Sequence, residues 1–154
     1  MNRIQKAEEW LRNYRPLKAY IENVRAEIRE LENDEPHIRG VDFRAEKIGP
    51  TYKVSSETES WAVTKQDKIL ALEYRIKRAE KKIEAIERAL SVLNGTEREI
   101  IEYRYFESLR YFEFLHKINM SERNCKYIRK SALKQIATAL FGEVDQGLEN
   151  VIQS

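Results

Sequence analysis

Three prolines and five glycines in 154 residues leave the chain few places to turn. All-β architectures draw heavily on both residues, so the fold expected is all-α. The single cysteine, Cys125, cannot close an internal disulfide, and an unpaired thiol fits a reducing cytoplasm. No apolar run approaches the roughly 18 residues that a membrane span needs. The opening MNRIQKAEEW carries no signal-peptide core. The expected location is therefore the cytoplasm, with no membrane partner. There are two histidines, His37 and His116, and neither has a cysteine, histidine or carboxylate at metal-ligand spacing. A glycine-rich phosphate loop and a Gly-x-Ser-x-Gly elbow are both missing. The many carboxylates fall on solvated helix faces. Neither an enzyme nor a cofactor nor a metal is expected.

What the chain does have is charge and periodic apolar residues, 35% and 42% of the total. Residues 2–13 can form a short helix with Ile4, Ala7, Trp10 and Leu11 inward. Pro16 disfavours helix at Arg15 and is acceptable in the first turn of the next helix. That helix carries Leu17, Ile21, Val24, Ile28 and Leu31, a heptad seam. Residues 33–55, with Pro36, Gly40, Gly49 and Pro50, read as a long loop that Val41, Phe43, Tyr52 and Val54 could pin down. Ser56-x-x-Glu59 is a capping-box pattern that would start the longest helix. Its seam is Ile69, Leu72, Ile76, Ala79, Ile83, Ile86, Leu90 and Leu93. Two seams joined by a loop most simply pair antiparallel. The expected organisation is a coiled-coil helical hairpin over residues 1–95, a domain over 96–142 and a tail over 143–154. The long seam outruns the short one, and its surplus could bury the N-terminal helix, part of the C-terminal domain or a second chain, giving a homo-oligomer.

The net charge of +2 is no nucleic-acid signature, but its distribution is informative: residues 121–134 hold five cations and one carboxylate. Thr96-x-x-Glu99 is a second capping box behind the breaker Gly95. The helix after it carries Ile100, Ile101, Tyr103, Tyr105 and Phe106. A short helix can hold Phe112, Leu115 and Ile118 inward. Asn119-Met120 makes a turn, and Ser121 is a natural N-cap. In the third helix Cys125, Ile128, Ala132, Ile136 and Ala139 fall on one side. Arg123, Lys126, Tyr127, Lys130 and Lys134 fall on the other. A helix with an apolar back and a basic front suits the major groove. Glu122, Arg123, Lys126 and Tyr127 would reach bases, and Arg129, Lys130 and Lys134 would sit nearer phosphate. The plainer alternative is a bundle with a solvated basic face.

Glu97-Arg98-Glu99-Ile100-Ile101-x-x-Arg104-Tyr105 resembles the first helix of region 4 of bacterial sigma factors, and residues 121–136 (SERNCKYIRKSALKQI) resemble its recognition helix. Two positions depart from helix-turn-helix sequences: Leu115 stands for a small residue, and Asn119 for the usual glycine. Tyr14-Arg15-Pro16, the segment Tyr52-Lys53-Val54-Ser55-Ser56, the long charged helix and this C-terminal end together are similar in layout to phage-encoded late-gene regulators of the ArpU and RinA-like type. The resemblance implies a helix-turn-helix transcription regulator, sigma-like or an activator, of phage or prophage late genes. It implies double-stranded DNA as partner, bacterial RNA polymerase as a second, and the host cytoplasm as its location. Two alternatives stay open: a DNA-packaging subunit like the small terminase subunits, and a coiled-coil adaptor.

Overall fold

The structure, a computed structural model, describes residues 1–34 and 52–143, with the backbone alone for 52–58. Every regular element among the described residues is helical, as expected: the fold is all-α. Helix α1 (Arg3–Arg12) starts on Asn2. The Asn2 side-chain Oδ1 accepts from the Gln5 backbone amide at 2.8 Å, and the Gln5 side chain accepts from the Asn2 backbone amide at 3.1 Å. Two orphan donors are thus satisfied reciprocally. Helix α2 (Tyr14–Asn33) follows after the single residue Asn13. The expected interruption at Arg15 therefore falls at Asn13. Pro16 lies in the first turn, where its missing N–H has no intrahelical acceptor to serve, and Arg15 stays helical.

Helix α3 (Tyr52–Ser91) is longer than its sequence pattern suggests. Ser56 does not cap it, because the helix already runs through that residue and a capping residue needs non-helical backbone. Residues 52–55, expected in the loop, are helical. Residues 35–51 of that loop, His37 among them, and the tail beyond Glu143 lie outside the described residues. Among the described residues no helix is long and apolar enough to cross a membrane.

The chain packs as two compact units, Tyr20–Glu80 and Met1–Ala19 with Lys81–Ser154. In the first, Ile21, Val24 and Ile28 of α2 and Ile69, Leu72, Ile76 and Ala79 of α3 are buried, as the seams require. Two contacts fix the direction. Arg25 pairs with Glu80 at 2.5 Å, and the Lys65 ammonium donates to the carbonyls of Glu32 and Asp34 at 3.2 and 3.1 Å. The early part of one helix thus meets the late part of the other, so they run antiparallel.

The second unit unites α1 with the helices that follow α3. Helix α4 (Gly95–Ile101) passes into a π-helical turn (Glu102–Phe106), and α5 (Tyr111–Ile118) and α6 (Glu122–Phe141) follow. The cap of α4 lies two residues before the expected one, at Asn94. The Asn94 side chain accepts from the Glu97 amide at 2.9 Å, which puts Gly95 inside the helix and leaves Thr96 exposed. Ala7 and Leu11 of α1 share one core with Ile86, Ala89 and Leu90, with Ile101 and Tyr105, and with Ala132, Leu133, Ile136 and Ala137 of α6. The segment expected as one hairpin over 1–95 is therefore divided between the units, because α1 is claimed by the C-terminal helices. At the far end of α6 the Arg3 guanidinium donates to the carbonyls of Phe141, Gly142 and Glu143. It satisfies acceptors that a helix C-terminus leaves open.

A smaller core holds Ile100, Phe114 and Cys125, ringed by Tyr103, Leu109, Tyr111, Leu115, Ile118, Met120 and Ile128. The inward set of α5 is thus Tyr111, Phe114, Leu115 and Ile118, at helical spacing. Phe112, expected inward, is 72% exposed.

Candidate nucleic-acid interface

Helix α6 is set up by the three residues before it. Asn119 takes the left-handed conformation (φ 49°, ψ 48°) that ends α5, a conformation open to asparagine at low cost. Ser121 then turns extended, and its hydroxyl oxygen accepts from the Asn124 amide at 3.2 Å. Behind the helix, Cys125, Ala132, Leu133, Ile136 and Ala137 are buried. Ala139, expected among them, is exposed. Because α6 packs on α1 as well as on α4, its buried arc is turned towards Leu133 and Ala137, away from Ala139. Burial pushes the Cys125 thiol up, with Arg129 and Arg104 pulling it back. The thiolate needed for redox chemistry is disfavoured there.

Six of the seven candidate residues stand on the open surface: Glu122, Arg123, Lys126, Tyr127, Lys130 and Lys134. Glu122, Arg123 and Lys126 surround a shallow hollow at the start of the helix. The Glu122 carboxylate holds the Lys126 ammonium at 2.8 Å. The same ammonium lies 5.3 Å from the centre of the Tyr111 ring. Lys126 is therefore oriented by one carboxylate and one aromatic face, whereas Tyr127, 74% exposed, projects freely. Lys130 and Lys134 continue the same face along the helix.

Arg129 does not join them. Its guanidinium donates to the Tyr105 hydroxyl at 3.1 Å and lies 3.6 Å from the Glu8 carboxylate. Tyr105 in turn donates to Glu8 at 2.6 Å. The Arg129 side chain is only 26% exposed. It points away from the basic face because α1 supplies a carboxylate behind α6, and a half-buried cation follows its counter-charge. Burial, then the hydrogen bond to Glu8, pushes the Tyr105 hydroxyl well above its ordinary value, so it remains a donor.

Sequence reasoning missed this triad, whose members are 97 and 24 residues apart. It also missed Tyr111. The Arg104 guanidinium lies 4.6 Å from the Tyr111 ring centre, and Arg129 lies 6.0 Å from it. With Lys126, three cations surround one aromatic face, which attracts them through its quadrupole. The signal available was the spacing of Tyr111 and Phe114, which marks the inward side of α5.

The arrangement presents cations, one carboxylate and one exposed aromatic on a helix whose back is fixed. Among the described residues no group of three or more histidines, cysteines or acids is placed to hold a metal. No curated protein and no solved structure matches the chain. A family model does, over residues 3–138, under the description "protein of unknown function (DUF722)", and with most of the chain matched the protein belongs to that family.

Proposed function

We propose that this protein is a sequence-specific DNA-binding transcription regulator, sigma-like or an activator, of phage or prophage late genes, working in the bacterial cytoplasm. In this reading α5, the turn at Asn119 and α6 are a helix-turn-helix, with α6 as the recognition helix. Helices α2 and α3 form the coiled-coil hairpin. The observation that carries the reading is the open face of α6. Arg123, Lys126, Tyr127, Lys130 and Lys134 are exposed on a helix whose opposite side is buried and whose start is capped by Ser121. The partner is double-stranded DNA, and RNA polymerase is the second partner that a late-gene regulator must meet.

The face divides its work by position. Arg123, Lys126 and Tyr127 lie in the first turns, where a groove-inserted helix meets base edges, and Glu122 can accept from a cytosine amino group. Lys130 and Lys134 lie further on, against the backbone. The test begins with sequencing of DNA that co-purifies with the full chain, followed by binding isotherms at several salt concentrations on that duplex and a scrambled one. Arg123→Ala or Lys126→Ala should lose about 1–3 kcal/mol on the cognate site and much less on the scrambled one. Lys130→Ala or Lys134→Ala should weaken both alike and make the salt slope shallower by about one each. Identical behaviour of all four variants would reduce the helix to an unspecific electrostatic face. Affinity unchanged by any of them would remove DNA binding altogether, leaving a coiled-coil adaptor.

A further inference from the structure

Helix α3 carries a second apolar stripe that the described residues leave uncovered. Val63, Leu70 and Tyr74 are 61%, 53% and 66% exposed. Their spacings of seven and four residues put them on one narrow strip of the helix. The buried residues Leu72, Ile76 and Ala79 point the opposite way. The same heptad pattern adds Asp67 before Leu70 and Lys77 after Tyr74, both exposed. Among the described residues neither makes an ion pair within the chain.

We infer that this strip is the contact through which two copies of the chain pair, with their α3 helices antiparallel. The charge order selects both occupant and direction. In an antiparallel coiled coil each layer joins the two alternating seam positions of opposite helices. Setting Leu70 against Tyr74 of the second copy makes two central apolar layers. The next layer on either side then sets Asp67 of one copy against Lys77 of the other. A parallel, in-register pair would set Asp67 against Asp67 and Lys77 against Lys77, and like charges repel. The apolar part is short, so the dimer is reversible and depends on concentration and salt.

Sedimentation equilibrium of the full chain without DNA, over a series of protein concentrations, tests the pairing. The wild type should pass from monomer to dimer. Leu70→Glu should raise the dissociation constant at least about tenfold, as expected for a central interface position. Asp67→Lys and Lys77→Asp should each weaken the dimer, and the double exchange should restore it. All these positions are exposed, and circular dichroism should show unchanged helicity. A wild type that stays monomeric throughout would overturn the inference and leave the strip to a different protein. Association insensitive to Leu70→Glu would overturn it too. A double exchange no better than its single parents would overturn the antiparallel register.

Discussion

Removing one oxygen atom tests how α1 is held to the C-terminal helices. In Tyr105→Phe the ring stays in the core and only the hydroxyl goes. That hydroxyl donates to Glu8 at 2.6 Å and accepts from Arg129 at 3.1 Å. A hydrogen bond to a charged group contributes about 1.5–3 kcal/mol. Two are lost here, but Glu8 and Arg129 already stand 3.6 Å apart and can close on each other, and their side chains are 19% and 26% exposed. Partial re-pairing leaves a net cost of about 1–2 kcal/mol, a sizeable part of the 5–15 kcal/mol that holds a typical domain. Urea unfolding should be followed by Trp10 fluorescence in a Trp61→Phe background, because Trp10 packs edge-on to Phe141 at 5.3 Å within this unit. The pH dependence gives an independent check. The folded state raises the Tyr105 hydroxyl above its ordinary value of 10.0, so the folded state keeps a proton that the unfolded chain releases. The resulting stability is complete below about pH 10 and is lost as pH rises towards the folded value. Wild type and Tyr105→Phe should therefore converge only on the alkaline side of pH 10. Equal stability at neutral pH, with parallel alkaline curves, would refute a stabilising triad.

Other substitutions separate the remaining parts of the fold. Ser121→Ala should cost roughly 1 kcal/mol and, in the proposed DNA-binding role, weaken affinity by misplacing Glu122 and Arg123, measured by melting and by binding isotherms on one preparation. Phe114→Ala should cost about 3–5 kcal/mol, whereas Phe112→Ala should stay within about 0.5 kcal/mol; comparable losses in chemical unfolding would contradict the register of α5. Ile76→Asp buries a carboxylate on the seam of the antiparallel pair and should cost several kcal/mol while charged. An unchanged melting curve by circular dichroism would mean that the seam is not packed.

The periodic parts of this structure were legible because period is a local property. The seam residues Ile21, Val24, Ile28 and Ile69 to Leu90 are buried as their spacing demands, and Ser121 caps as its side chain allows. The mistakes arise where distant segments decide. Arg129 reads as one more cation of a basic helix until Glu8 arrives from the other end of the chain. Ala139 lies on the apolar side by angle alone, yet the packing of α1 turns the buried arc past it. On α5, Phe112 and Phe114 compete for one site, and an eight-residue helix offers too few turns for period to choose. At the start of α4, Asn94 and Thr96 are both competent caps, and only the contact to Glu97 separates them.

The π-helical turn at Glu102–Phe106 has a consequence of its own. The Glu107 amide reaches back to the Glu102 carbonyl at 3.0 Å, spanning five residues where an α-helix spans four. Such a ring takes in one residue without lengthening the helix, and one residue corresponds to about 100° of winding. Around this turn Ile101 and Tyr105 reach the large core, while Ile100 and Tyr103 reach the small one. The phase at which this helix ends, and with it the direction in which the chain leaves towards α5, is set by how many residues the chain contains at this point rather than by which ones. Alanine scanning would pass over such a determinant without a trace. Deleting a single amino acid from this stretch would expose it, yielding a chain that stays helical while Tyr105 and Phe106 lose their places against the large core.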